Sequence, residues 1–348
     1  MPKFPTITAG ITKLSELNID VDKDWGGRKI LNIGVPPSDS AVLSRGLVTI
    51  YSSDYGRNWT DLGVIASGYI YARAYLGNGI AILGDVNGHV FRSADYGATW
   101  ADLGMIATGG SIMTMVYLGN GIAILGNAAG HVFRSADYGA TWTNLGAISS
   151  GIIRKTAYLG NGIAILGDNV GHVFRSTNYG TTWTDLGVIA SDTIDAMDYL
   201  GNGIALLGDW SQRVYRSTNY GTIWTDLGVI ASDSIRTIAY LGNGIAVLSG
   251  NGGHIYRSTD YGATWTDLGA ISSGLFYDMA YLGNGIVIAG DNNGHVFRST
   301  DYGATWADPG VIASNGVLVV AYLGNGIAIL GDINAHIFRS TSAFFLWK

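Results

Sequence analysis

The sequence predicts an all-β fold, a β-propeller of four-stranded antiparallel blades, and three observations predict it. Tryptophan returns at Trp59, Trp100, Trp142, Trp183, Trp224, Trp265, Trp306 and Trp347, at intervals of 41 residues with a single interval of 42. An Asn-Gly pair between apolar runs recurs with the same period, first in Tyr75-Leu76-Gly77-Asn78-Gly79-Ile80-Ala81-Ile82-Leu83-Gly84. Of the 26 acidic residues only Glu16 is glutamate, so the chain lacks one of the better helix formers. A unit of this length with four short strands cannot cover both faces of its own sheet, whereas radial stacking of such units does.

Each element of the repeat follows from local chemistry. The inner strand covers about Ile70 to Leu76, and Asn78-Gly79 turns it into a second strand, Ile80 to Gly84, because both turn positions of a type I′ hairpin need positive φ. A third strand runs from His89 to Ser93. The octet Ser93-Ala94-Asp95-Tyr96-Gly97-Ala98-Thr99-Trp100 then leads into an outer strand ending near Ile106. The 52 glycines, about twice the usual share, fall mainly in these turns.

Counting strands by type gives seven blades over residues 47–348, with the N-terminal outer strand, Trp59 to Ile65, pairing with the C-terminal first and second strands and one copy of the third strand left over. An eight-bladed ring is the alternative, with Lys29 to Gly34 and Ser40 to Ser44 as a degenerate inner pair. Residues 1–46 differ in composition, holding the only glutamate and four of the six lysines, and read as a separate N-terminal extension.

The octet matches Ser-x-Asp-x-Gly-x-Thr-Trp, and on it the chain resembles Asp-box (BNR-repeat) β-propellers, a group that includes sialidases, sortilin-type receptors and photosystem assembly factors. The resemblance implies the propeller fold and a structural role for the octet, but it selects no chemistry. The stretch Leu17 to Gly34, with Pro36 and Pro37 after it, resembles an element of phage and archaeal-virus tail fibres. That implies a virion or extracellular location and oligomerisation through the N-terminal segment. Met1 to Leu14 shows no conventional secretory signal.

Composition narrows the partners. A net charge of -6 with dispersed basic residues gives no footprint for nucleic acid, and no apolar window is long enough to insert in a membrane. Cysteine is absent. The six histidines share one column at the start of the third strand, on separate blades, and Arg213 fills the seventh place, so neither a metal nor another cofactor is expected.

Copies of a repeat differ where they are freed from packing. Variation concentrates at the start of the inner strand and in the turn between the second and third strands, and both lie at one mouth of the central channel. One column there reads Tyr71, Met113, Arg154, Asp195, Arg236, Tyr277 and Leu318. Tyr69, Arg73, Lys155, Asp198, Asp278 and the Trp210 to Arg213 turn are the neighbouring variants. Aromatics with arginine and aspartate suit recognition, and the expected ligand-binding set is Tyr69, Tyr71, Arg73, Arg154, Asp195, Trp210, Arg213, Arg236, Tyr277 and Asp278. On adjacent blades Arg154, Asp195 and Arg236 are also placed to pair with one another.

The reading is a non-catalytic propeller that binds a cell-surface glycan or glycoprotein, with a protein-docking scaffold as the alternative. A sialidase-like hydrolase is the third reading, since Arg73, Arg154 and Arg236 could grip an anion and Tyr277 stands beside Asp278. No catalytic residue is assigned, because glycosidases need two carboxylates with separated pKa values and the propeller has no glutamate.

Overall fold

The computed structural model describes residues 50–52, 55–340 and 343–345. Seven blades surround the channel. Blade 1 has strands Ile70–Gly77, Ile80–Asp85, His89–Ser93 and Ala101–Met105, hydrogen-bonded in that order and antiparallel. Blades 2 to 5 repeat this plan from Ile112, Ile153, Ile194 and Ile235. Blade 6, Phe276–Gly283, Ile286–Asp291 and Val296–Ser299, keeps its fourth strand only as the bridges His295–Val311 and Arg298–Ala307. Pro309 stands there in place of the leucine of the other copies, and proline cannot donate to the ladder.

Blade 7 closes the ring. Its strands Val317–Tyr322, Ala328–Asp332 and His336–Ser340 come from the C-terminal end, and its outer strand is Trp59–Val64 from the N-terminal end. The closing strand therefore pairs with the third strand of the last repeat, in the register Trp59–Ser340 to Val64–His336. The surplus copy of the third strand is the N-terminal one, and its residues Ile50–Ser52 pair with Ala343–Phe345. The eight-bladed alternative drew its extra pair from residues 1–46. These, with the tail-fibre resemblance, the oligomerisation assigned to them, and Trp347, lie outside the described residues.

The turns behave as their residues dictate. Asn78 and Gly79 have φ of 52° and 79°, and the equivalent pairs in the other blades repeat this conformation. In the octet, the Ser93 hydroxyl donates to Asp95 Oδ1 and accepts from Gly97 N, while Asp95 accepts from Thr99 N at 2.9 Å and Thr99 Oγ1 at 2.6 Å. Burial would raise the Asp95 pKa, but these donors outweigh it and hold the carboxyl below its usual value.

Each interface between blades is apolar and close. Ile70, Ile112, Ile153, Ile194, Ile235, Phe276 and Val317 are fully buried. A Cβ on Gly84 would lie 2.5 Å from Ile112 Cγ2 of the next blade, so that column is glycine in six of seven copies. A ring of polar clasps adds to this packing. Arg92 Nε donates to the Tyr138 carbonyl of the following blade, and the same bond recurs around the ring through Arg134, Arg175, Arg216, Arg257, Arg298 and Arg339.

Candidate functional site

The inner strands of all seven blades line the channel, which holds a cavity of about 110 Å³ bordered by Tyr71, Arg73, Lys155, Tyr277, Asp278 and Leu318 among others. The extra residue that puts the variable column there is a bulge. In blade 1, Ile70 pairs with Asp85 and Ala72 with Gly84, leaving Tyr71 without a partner in the ladder. The same shift recurs in blades 3 to 6 at Arg154, Asp195, Arg236 and Tyr277.

Three adjacent blades build one charged cluster from this column. Asp195 is 7% exposed and accepts from Arg154 Nη2 at 2.9 Å, Arg236 Nη1 at 2.9 Å and Trp210 Nε1 at 3.1 Å. The Arg236 guanidinium lies 4.9 Å from the Trp210 ring centroid and that of Arg154 5.6 Å, within cation–π range. Arg236 Nε also donates to Asn251 Oδ1 at 2.7 Å. Burial would raise the Asp195 pKa, but Lys155, Arg154, Trp210 and Arg236 together hold it below the usual carboxylate value.

Aromatics flank the cluster. Tyr69 and Tyr71 are exposed and pack edge to face at 6.3 Å. Burial pushes the Tyr71 phenol up, with Tyr277, Tyr69 and Asp195 adding to the rise and Arg154 opposing it, which puts Tyr71 in the electrostatic field of the cluster. Tyr277 lines the same cavity.

Arg73 and Asp278 form a second arrangement, which closes the ring rather than facing out. Arg73 Nη2 reaches Asp278 at 2.8 Å and its Nε donates to the Val320 carbonyl, while Asp278 accepts from Met279 N and Val320 N. Asp198 joins neighbouring blades in the same way, accepting from Tyr199 N and from Tyr240 N of the next blade at 2.7 Å. Burial raises its pKa to about 6 against the pull of these two amides and Arg73.

Arg213 does not join the mouth cluster. It keeps its place in the histidine column and pairs with Asp226 of its own blade, as His89 does with Asp102 and His172 with Asp185. Among the described residues no group of three or more histidine, cysteine or acidic side chains could hold a metal, and no helix is long and apolar enough to cross a membrane.

No known protein-family model matches the sequence, and no curated protein matches it. Solved structures do resemble it. YCF48 bound to D1 peptide has a TM-score of 0.69 at 19% identity, covering 82% of this chain and 97% of that one. YCF48 from Cyanidioschyzon merolae has a TM-score of 0.65 at 16% identity, covering 81% of this chain and 98% of that one. The WD40 propeller domain of Doa1 has a TM-score of 0.67 at 13% identity, covering 81% and 96%. At these identities the likeness shows the fold alone, and that fold is the seven-bladed β-propeller.

Proposed function

We propose that this Asp-box-like propeller is a non-catalytic docking module that receives a protein partner at the mouth of its channel. The observation that carries the reading is the joining, at one mouth, of positions at which otherwise near-identical repeats differ. Arg154, Asp195, Trp210 and Arg236 form an assembled cluster beside the exposed rings of Tyr69 and Tyr71. Tryptophan, tyrosine and arginine in this arrangement are the residues that dominate protein interfaces. The similar YCF48 structure holds a peptide, which supports the same class of partner here.

The glycan reading draws less support from the geometry. Sugar stacking needs an open aromatic face, and the Trp210 face is engaged by two guanidinium groups. The three donors on Asp195 leave it little capacity for sugar hydroxyls. Hydrolysis draws less support still. Arg73 is paired with Asp278, and Arg154 and Arg236 share Asp195, so they form no free triad for a substrate carboxylate.

Selection of displayed peptides on the intact protein, run beside a glycan array, tests the proposal. Peptide ligands should emerge whose affinity falls about tenfold or more in Tyr71→Ala and Trp210→Ala. Glycan hits lost in the same two variants, with no peptide ligand, would overturn it. Release of sialic acid abolished by Arg154→Ala would overturn it in favour of the enzyme.

A further inference from the structure

Beneath the mouth cluster one cation of the channel has no partner. The cavity is lined by Arg73, Lys155 and Asp278, with Arg154, Arg236 and Asp195 in the mouth cluster beside it and Asp198 on the inner strand of blade 4. The three arginines are consumed by Asp278 and Asp195. Asp198 is consumed by two backbone amides. Lys155 is left over. It extends from the inner strand Ile153–Gly160 into the cavity, enclosed by neighbouring blades, and among the described residues no hydrogen bond or ion pair is made to its ammonium.

A half-buried ammonium that makes no direct ion pair is costly, and natural proteins seldom keep one without a reason. Here the enclosure lowers the Lys155 pKa, while Asp195 and Asp278 act through space to keep the charge. Its surroundings are those of a small polar receptor. Thr114, Thr156 and Thr237 border the same cavity, and the hydroxyls of Thr114 and Thr156 meet at 2.9 Å. At about 110 Å³ the space is several times the ~10–15 Å³ that one water needs on the same measure, which is room for a carboxylate on a short stem.

We propose that the channel beneath the mouth is a carboxylate-binding site centred on Lys155. This deepens the docking reading and rests on it: the carboxylate belongs to an acidic side chain of the partner, which the mouth cluster guides inward. The same chemistry would also accept a free small carboxylate, and the test separates the two sources.

The intact protein is titrated calorimetrically with acetate, with glutarate, and with two blocked peptides that carry a single glutamate or a single glutamine between glycines. Lys155→Met keeps the length of the side chain and removes its charge, and a thermal melt of this variant establishes that it is folded. The expected result is binding of the glutamate peptide but not the glutamine peptide, weakened about tenfold or more in Lys155→Met. Binding of acetate or glutarate alone, lost in the variant, assigns the site to a free carboxylate. Equal binding of both peptides, binding unchanged in Lys155→Met, or no binding of any probe would overturn the site. If peptides selected on the mouth still bind Lys155→Met at full strength, the channel site fails while the docking reading stands.

Discussion

Arg73 of blade 1 and Asp278 of blade 6 meet at 2.8 Å across the inner strand of blade 7, so a single ion pair spans the closing blade of the ring. Both partners also hold the Val320 backbone of that blade, one through its carbonyl and the other through its N–H. Closure is therefore fastened twice, by the outer strand Trp59–Val64 at the rim and by this pair at the axis.

Removing the carboxylate takes the acceptor from Arg73 Nη2 and from the buried Val320 and Met279 amides, and leaves Arg73 only its bond to the Val320 carbonyl. Asp278→Ala should cost about 2–3 kcal/mol, since breaking one side of an enclosed pair is more damaging than its net contribution. Arg73→Met, which removes a more exposed side chain, should cost less. Urea unfolding of the three proteins checks the order.

Asp198 gives the protein a pH dependence between its unfolded and folded values. Burial raises its pKa from 3.8 to about 6, so in this window the native state holds a proton that the unfolded state has released. Stability should fall by roughly 3 kcal/mol as the pH rises from about 4 to 6. Asp198→Asn should flatten that slope. The octet aspartates work in the opposite direction: Asp95, Asp137, Asp260 and Asp301 are held below 3.8, so their contribution is present above that value and is lost as pH falls through their folded values. Denaturant melts from pH 3 to 7 would separate the two limbs.

Two turn carboxylates want a donor that other blades possess. Ser149 donates to Asp168 Oδ2 and Ser272 to Asp291 Oδ2, each at 2.7 Å, whereas Asp85 and Asp332 each keep an unpaired, buried Oδ2 opposite Ala66 and Ala313. Ala66→Ser and Ala313→Ser should each stabilise the ring by about 1 kcal/mol. A thermal melt of the double variant should show the two gains adding, because the two pairs lie at different interfaces between blades.

The glycines facing Ile112, Ile153, Ile194 and Ile235 are sterically required. A Cβ at Gly208 would meet Ile235 Cγ2 at 2.5 Å, and Gly208→Ala should cost about 1–3 kcal/mol. Where the chain itself carries a side chain in this column, at Ser249, the inner strand of the next blade begins with Phe276 instead of a β-branched residue. Ile235→Phe should therefore recover part of the Gly208→Ala loss, as a double-mutant cycle would show.

The repeat made the blades readable because each turn is dictated by residues close in sequence: Asn78-Gly79 needs positive φ whatever surrounds it, and Asp95 finds its donors four residues away. The site was readable only in outline. Comparing copies located Tyr71, Arg154, Asp195, Arg236 and Trp210, but their joining through one carboxylate depends on the angle between blades, which no single repeat encodes. Arg213, expected in the same set, pairs instead within its own blade, since in the histidine column an arginine takes over the aspartate that histidine holds in most other copies. The arginine clasps went unseen because an arginine identical in every copy looks like packing. Its acceptor is a backbone carbonyl about 45 residues away.

The closing strand has a consequence for assembly. Thr60 to Val64 reads Thr-Asp-Leu-Gly-Val, the same five residues as Thr184–Val188 and Thr225–Val229 in blades 3 and 4. The edge offered by His336–Ser340 therefore cannot tell its own chain terminus from that of another molecule. The high effective concentration of a tethered strand favours self-closure. The yield of single rings on refolding should thus rise with dilution, and linked pairs that exchange the Trp59–Val64 strand should grow with protein concentration, as size-exclusion chromatography would show.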